Sequence, residues 1–335
     1  MIDKIKLPDD YLDESIDTDK DNLENLDDIN LSDDNVDDNL DNNLDNNIKE
    51  HGDKSSEKKT TKKKKKRKSK LLYNIILFIL LCVFVTCAYI LIKYFLDSKK
   101  SEDKVEELKE LVDDDFSFDE EDLYSTATDA KKDPEYVDVN GVAVQSKFEA
   151  IYRQNNDFIG WIYIEDTDID YPVVQSMYEE EYYIHKDFDK EYSQAGTLFI
   201  DTSCNVAAPS DNIMIYGHNM KTGKMFHDLL EYEDEEFYKE HKYIIFNTIY
   251  GDGVYEVIAA YRTKIHPVDY TGFKYYQFFN ASSEEEFDNY VTTGQANTPY
   301  EIESTATYGD RLLTLSTCAY HDDNGRYVVV AKKVQ

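Results

Sequence analysis

Hydrophobic residues are spread very unevenly along the chain. From Leu71 to Leu96 the chain is apolar almost throughout, with Asn74 and Thr86 as polar interruptions before Lys93. As a helix this stretch would be roughly 39 Å long, more than the hydrocarbon core of a membrane at about 30 Å. A cleaved signal peptide fits poorly, because the stretch is too long, begins too far from the N-terminus and lacks a clear small-residue cleavage site. The pattern predicts a transmembrane helix over this stretch.

Residues 1–53, before that stretch, are rich in Asp and Asn. Aliphatic side chains at positions 36, 40, 44 and 48 recur every four residues, as they would on one helix face. Asp and Asn are poor helix formers, however, and no second apolar column broadens the stripe. The composition predicts an acidic, disordered cytoplasmic tail. A tail that folds on a basic partner, or that signals for the rest of the chain, is the alternative.

A dense basic block, Lys58 to Lys70, lies directly before the apolar stretch. By itself such a block is also typical of a nuclear signal or a nucleic-acid patch. Beside a predicted membrane span it indicates, by the positive-inside rule, that the N-terminus is cytoplasmic. Residues 54–70 then form a polybasic juxtamembrane segment, and each charge near anionic lipid contributes on the order of 1 kcal/mol. We therefore expect a single-pass protein of the cell membrane, with everything after residue 96 extracellular.

Two patterns follow the apolar stretch. Residues 97–139 read as an acidic extracellular stalk, in which a short helix around Val105 to Val112 precedes acidic runs. Such runs stay solvated far more often than they bind metal. Residues 140–335 read as the folded domain. It opens on an amphipathic helix containing Val144, Phe148, Ile151 and Tyr152, and continues as short runs rich in β-branched and aromatic residues.

These runs predict eight strands, which suggest a mostly β domain built as one closed barrel with helices decorating its loops. The predicted strands are Phe158–Ile164, Asp168–Val174, Thr197–Asp201, Asn212–Tyr216, Tyr243–Ile249, Gly253–Arg262, Arg311–Thr317 and Tyr327–Lys332. The predicted helices are Lys224–Tyr232, Glu235–His241 and Ser283–Thr292.

Charge and cysteine content narrow the possible functions. The net charge is −33, and most of it lies after residue 96. So acidic a body argues against nucleic acid as a partner, because phosphates need basic groups. Of four cysteines, Cys82 and Cys87 lie in the apolar stretch, which leaves Cys204 and Cys318 in the folded domain. Two cysteines so far apart do not make a disulfide framework.

Cys318 is the most informative of these residues, because it ends the apolar strand Leu312–Cys318, and Arg326 opens the next strand. A nucleophilic thiol needs a base or a positive charge nearby, a proton donor for the leaving group and donors for the oxyanion. His218 follows another strand end and is the best candidate acid/base, with His321 as the local competitor. The remaining candidate histidines lie in predicted loops or helices, where surface histidines are common: His185, His227, His241 and His266. Alternatively, Cys318 is a small buried residue and Arg326 forms a rim salt bridge with Asp322 or Asp323.

Several motifs resemble the sortases, membrane-anchored cysteine transpeptidases of Gram-positive bacteria. The sortase pattern Thr-Leu-x-Thr-Cys is matched by Thr314–Cys318, its following Arg by Arg326, and its Tyr-Gly-His by Tyr216–His218. Four further motifs resemble class B sortases in particular: Asn156–Ile162, Ile169–Gln175, Tyr182-Tyr183 followed by Asp187-Phe188, and Tyr216–Met220. The predicted helix before the cysteine strand is similar to an extra helix of class B. Ala319 follows the cysteine where some relatives carry an acid, so no third acidic catalytic residue is expected.

The resemblance implies a mechanism and partners. Cys318 would cleave after Thr in a Pro-x-Thr type sorting motif at the C-terminus of a secreted protein, through a thioacyl-enzyme. His218 would be the general acid and base, and Arg326 would hold the substrate or the oxyanion. The acceptor would be an amine of a cell-wall precursor or of a pilin, and neither cofactor nor metal is expected. The alternatives are a cysteine endopeptidase that releases surface proteins, and a non-catalytic surface binding module.

Overall fold

The computed structural model describes residues 61–112, 134–320, 322 and 324–335. The predicted tail 1–53, residues 54–60 of the basic segment and residues 113–133 of the stalk lie outside the described residues, as does His321. The chain divides into two compact units, one ending at Ile90 and one whose described part runs from Leu91 to Gln335.

One long helix, α1 (Thr61–Lys109), contains the predicted membrane-spanning stretch. Its part from Lys70 is long and apolar enough to cross a membrane by length and composition. Large apolar side chains along it are well exposed, for example Leu72 at 60%, Phe78 at 66% and Phe84 at 69%. Such surface is unfavourable in water and favourable in lipid. The helix is therefore consistent with a membrane anchor.

A two-stranded hairpin, β1 (Tyr136–Val139) and β2 (Val142–Gln145), precedes the barrel. Its turn, Asn140-Gly141, has positive φ angles of 57° and 87°. Two consecutive positive φ angles define the type I′ turn that matches the twist of paired strands, and Asn-Gly adopts it most readily.

The amphipathic helix predicted from residue 144 is wrong at its start. Val144 is a strand residue paired with Val137, and helical structure is confined to a 3₁₀ turn at 146–148 and to α2 (Glu149–Gln154). Phe148, Ile151 and Tyr152 keep the predicted spacing and are buried. Val144 fits the same spacing by coincidence, because hairpin pairing determines its backbone conformation.

Eight strands close into a barrel in the order β10-β8-β7-β3-β4-β5-β6-β9. The strands are β3 (Phe158–Tyr163), β4 (Asp170–Val174), β5 (Leu198–Ile200), β6 (Asn212–Tyr216), β7 (Tyr243–Thr248), β8 (Val254–Lys264), β9 (Leu312–Cys318) and β10 (Gly325–Lys333). Neighbours are antiparallel except for β4 with β5 and β6 with β9, which are parallel. The predicted eight-stranded closed barrel is confirmed, with small shifts at strand ends.

Strand β9 is buried on both faces until it reaches its last residue. Leu313 and Leu315 are fully buried in the main hydrophobic core. The alternate residues Thr314 and Ser316 point to the other face, where their hydroxyls meet those of Tyr290 at 2.9 Å and Tyr275 at 2.8 Å. Both tyrosines belong to the connection between β8 and β9. Cys318 lies on the same face as Thr314 and Ser316, where this cover ends.

The helices decorate the barrel as expected, with different lengths and types. The predicted helix at 224–232 is a 3₁₀ helix, His227–Glu233, and the next is α3 (Glu235–Glu240). The helix before β9, α4 (Glu284–Asn297), is longer than predicted. Ser283 caps it by accepting a hydrogen bond from the Glu286 backbone amide at 3.2 Å.

The end of α1 contacts the barrel domain within the second unit. Lys100 forms ion pairs with Asp187 at 3.2 Å and Glu191 at 2.5 Å. The Ser101 and Ser193 hydroxyls are 2.9 Å apart, and Leu108 is fully buried. The first residues of the predicted stalk are thus helical and pack on the loop between β4 and β5.

Candidate active site

Cys318 and Arg326 are directly opposite each other in the β9–β10 ladder. Residues opposite each other in an antiparallel pair point to the same face, with Cβ atoms about 4.5–5.5 Å apart. The thiol and the guanidinium therefore share one face at the end of β9. The structure brings together these two residues as the sequence predicted.

His218 reaches the same place from strand β6. Tyr216 pairs with Ser316 in the parallel β6–β9 ladder, so His218 and Cys318 are both two residues further along neighbouring strands. Pairing continues past the end of β6, because the Gly217 amide donates to the Ser316 carbonyl at 3.2 Å, and the Thr317 hydroxyl donates to the Gly217 carbonyl at 2.8 Å. Gly217 is required there, since a Cβ would lie 2.3 Å from a Leu198 methyl carbon and 2.7 Å from the Phe226 ring.

Two residues that the sequence did not single out for this purpose brace the cysteine. The side-chain amide of Asn219 donates to the Cys318 carbonyl at 3.0 Å. The Asn219 side-chain oxygen is 2.7 Å from Nδ1 of His227, which therefore acts as the donor. These two hydrogen bonds together fix the backbone at Cys318 and join two loops. Only the position of Asn219 directly after His218 hinted at such a role.

Burial is the main influence on the His218 imidazole, and it lowers the pKa to about 4. The Ile184 carbonyl, which accepts from Nε2 at 2.9 Å, opposes this shift, whereas nearby His185 and Arg326 add to it. The ring is therefore neutral at neutral pH and able to accept a proton from a thiol.

Arg326 is a buried cation, only 7% exposed. Its Nη1 donates to the Gly325 carbonyl at 2.9 Å, and it forms no ion pair with any residue that the structure describes. Two rim partners were considered from the sequence: Asp322 instead binds Lys264 at 2.6 Å, and Asp323 lies outside the described residues. A buried guanidinium with donors to spare favours a ligand that presents oxygen atoms.

Glu181 is the carboxyl group whose pKa responds to Arg326. Burial, and then repulsion from Glu180, raise the pKa of Glu181 to about 7, and Arg326 only partly opposes them. The raised pKa leaves Glu181 with less negative charge near neutral pH than an ordinary carboxylate, so it offsets the positive charge of Arg326 only in part.

The other candidate histidines have separate surroundings. His185 stacks on His218, with ring centroids 5.4 Å apart. His241 stacks on Phe237 at the end of α3, and His266 stacks on Tyr270. Within the described part of the chain no group of three or more His, Cys, Asp or Glu is placed to hold a metal ion. Cys204 and Cys318 are both free.

The fold is that of a known family. The family model of the Sortase domain matches residues 162–334, more than half of the chain. The chain belongs to the sortase family. Sortase B of Listeria monocytogenes is 33% identical over 205 residues, which cover 61% of this chain and 80% of that protein.

Solved structures agree with the sequence comparison. Sortase B from Bacillus anthracis in complex with AAEK1 is 28% identical, with a TM-score of 0.57 over 72% of this chain and 99% of that chain. The Staphylococcus aureus sortase B–substrate complex is 26% identical, with a TM-score of 0.56 over 71% of this chain and 98% of that chain. The protein is thus a sortase cysteine transpeptidase, most like class B.

Proposed function

We propose that Cys318 of this sortase is the nucleophile, that His218 is its general acid and base, and that Arg326 holds the substrate or the oxyanion. One observation supports this assignment above all others. Cys318 pairs with Arg326 across one strand boundary, and His218 follows the parallel strand on the other side.

The reaction begins at the carbonyl carbon of a Thr in the sorting motif. The thiol of Cys318 passes its proton to His218 as its sulfur attacks, and the negative charge that develops on the carbonyl oxygen faces Arg326. The carbon–nitrogen bond then breaks, and His218 protonates the departing amine. An incoming amine loses a proton to His218, attacks the thioester and releases the thiol, as microscopic reversibility requires.

Loss of one oxyanion donor costs about 3–4 kcal/mol of transition-state stabilisation. Arg326 is suited to this role, because burial strengthens its interaction with a developing charge.

The proposed substrates are secreted proteins with a C-terminal motif of the Pro-x-Thr type, and the acceptor is an amine of a cell-wall precursor or of a pilin. Helix α1 anchors the enzyme with its N-terminus in the cytoplasm and the barrel outside the cell. The basic block before the apolar part of α1 supports this orientation. Substrate and acceptor both occur outside the membrane, on the same side as the proposed site.

A peptide panel tests the chemistry. The full chain in detergent is incubated with quenched Pro-x-Thr peptides, with and without an added amine, and the products are analysed by mass spectrometry. We expect cleavage after Thr and a ligated product when amine is present. If no motif yields a ligated product, the proposed transpeptidation is wrong, and hydrolysis alone would indicate an endopeptidase.

A second comparison identifies the acid/base residue. We expect His218→Ala to abolish both products and His321→Ala to retain them. Loss of activity in His321→Ala alone would assign the role to His321. The orientation is tested separately, with protease added to intact protoplasts, which we expect to remove the barrel and leave the N-terminal tail.

A further inference from the structure

Two consecutive residues, Ile184 and His185, hold the imidazole of His218, although they precede it by more than 30 residues in the chain. The ring of His185 stacks on it, with centroids 5.4 Å apart and an interplanar angle of 24°. The carbonyl of the preceding residue, Ile184, lies 2.9 Å from Nε2 of His218. One short segment thus contacts both the face and the edge of the ring.

The carbonyl contact determines which ring nitrogen carries the proton. A carbonyl oxygen only accepts hydrogen bonds, so Nε2 of His218 must be the donor. In the neutral imidazole, Nδ1 then has the lone pair. Nδ1 is therefore the nitrogen available to exchange a proton with Cys318 and the substrate.

The segment is itself clamped from behind. The Thr197 amide donates to the Tyr183 carbonyl and the Ser193 amide to the His185 carbonyl, both at 3.1 Å. Gly196, with a φ of +62°, packs so closely that a Cβ would lie 2.3 Å from the Ile184 carbonyl oxygen. The carbonyl that faces His218 therefore has little freedom to move.

The ring of His185 also contacts a second aromatic ring besides that of His218. The ring of Tyr192 lies 6.3 Å from that of His185, with an interplanar angle of 31°. His185 is thus in an aromatic row that ends on His218. A side chain supported in this way can hold its neighbour in one orientation.

We propose that His185 is a positioning residue for His218: its stacked ring and the Ile184 carbonyl hold the imidazole in the tautomer with the proton on Nε2, with Nδ1 facing the reaction. This inference rests on the proposed role of His218 as general acid and base. It adds a residue that acts through its contact with His218.

The electrostatics agree with this geometry. The pKa of His218 is lowered to about 4 by burial, with further lowering from His185 and Arg326. Burial also lowers the pKa of His185. Removing the His185 ring exposes one face of His218 to water, so we expect the His218 pKa to rise from about 4 towards its ordinary 6.5. The pH profile of kcat/KM reports the pKa values of groups in the free enzyme, so we expect its acid limb to move to higher pH.

The first test needs no substitution. Histidine ¹⁵N NMR of the full chain in detergent distinguishes the two neutral tautomers, and the His218 signals are assigned by their absence in His218→Gln. We expect the tautomer with the proton on Nε2 at pH 7. A proton on Nδ1 would overturn the proposal, whatever the variants show.

The second test compares two substitutions at one position. We expect His185→Ala to lower kcat by about 10–100-fold, with little change in KM, because misplacement of a catalytic group by about 1 Å has effects of this size. We expect His185→Phe, which keeps a stacking ring without titratable nitrogens, to recover kcat to within about 5-fold of the wild type. Equal losses in both variants, or wild-type kcat and pH profile in His185→Ala, would contradict positioning by stacking.

His241 provides a matched control. It too stacks on a ring, Phe237, at 3.9 Å, and its Nδ1 lies 2.8 Å from a backbone carbonyl. His241 lies two residues before Tyr243, which pairs with Glu256. Glu256 pairs with Lys332, and Lys332 pairs with Leu312, at the other end of β9 from Cys318. We expect His241→Ala to lower the unfolding midpoint without changing the acid limb.

These variants distinguish a failure of the positioning role of His185 from a failure of the proposed catalytic role of His218. If His218→Ala keeps full activity, the proposed role of His218 fails. If His218→Ala is inactive while His185→Ala matches the wild type, only the inference fails. Should His185→Ala not fold, His185→Phe and the tautomer measurement still decide.

Discussion

Cys204 and Cys318 both lie beside strand β6, yet they differ in burial and in the groups that surround the thiol. Cys204 is 4% exposed, and its sulfur lies 3.3 Å from the Met214 amide and 3.5 Å from the Asn212 carbonyl. Burial raises its pKa to about 12. Cys318 lies half-buried at a strand end, opposite a buried guanidinium.

The difference shows how one barrel suppresses the reactivity of one thiol, that of Cys204, and leaves another, that of Cys318, accessible. Low polarity around Cys204 disfavours the thiolate, which is the nucleophilic form. Cys318 lies where the cover over β9 ends, so a peptide is able to approach it. Cys204 is buried in the loop between β5 and β6 and Cys318 lies at the end of β9, so burial separates the two cysteines more clearly than their residue type.

The largest effect is expected when each thiol is removed in turn. Cys318→Ala should lower transpeptidation by at least about 10⁴-fold, because the covalent route is lost. Cys204→Ala should keep kcat within about 2-fold of the wild type, since its sulfur touches only the core. The peptide ligation assay measures both. Activity that depends on Cys204 instead would reverse the comparison.

Alkylation should separate the two thiols in the native protein. We expect iodoacetamide at neutral pH to label Cys318 at least about 10³-fold faster than Cys204, because the raised pKa and burial of Cys204 suppress its thiolate. Peptide mapping by mass spectrometry reads each cysteine separately, and the unfolded protein serves as the control, in which the two rates should converge. Equal native rates would show that Cys204 is accessible.

Alkaline pH should destabilise the folded state through Cys204. The folded thiol keeps its proton up to about pH 12, whereas the unfolded thiol loses it near its ordinary 9.0. The unfolded state then binds fewer protons over this interval, so stability falls as pH rises. At about pH 10.5 we expect the wild type to have lost about 2 kcal/mol relative to Cys204→Ala. Denaturant unfolding of both proteins at several pH values measures this, and parallel curves would contradict it.

The smallest effect is expected for Cys204→Ser at neutral pH. The C–O bond of serine is shorter than the C–S bond of cysteine, so the hydroxyl lies further from the Met214 amide and the Asn212 carbonyl and is less well satisfied. We therefore expect a loss of about 1–2 kcal/mol in unfolding free energy. The matched Cys318→Ser change, at a half-buried strand end, should alter stability by less than about 0.5 kcal/mol. Similar losses at both positions would show that the two sites are equally buried.

Much of the fold was predictable, because each strand has a recognisable local sequence pattern. Each predicted strand is a run of β-branched and aromatic residues bounded by turn formers, and all eight are present. The error at Val144 arose because helical spacing over four residues also occurs by chance, and pairing with Val137 decides the conformation there. The 3₁₀ form of 227–233 had no signal in the pattern.

The site divides in the same way. Cys318, His218 and Arg326 were predicted because each adjoins a recognisable strand end. The sequence did not predict three supporting residues, Asn219, His227 and Ile184. Their hydrogen bonds join residues that lie 8 to 99 positions apart in the chain. No local pattern marks a backbone carbonyl that will accept a hydrogen bond from a distant histidine.

The sequence by itself determined the apolar span, the strand content and the family, since these depend on composition and short-range order. Only the tertiary structure decided that Thr314 and Ser316 are covered while Cys318 is open, and that His185 lies against His218. Strand pairing and loop packing bring these groups together, and they depend on contacts between distant segments, which no stretch of the chain encodes alone.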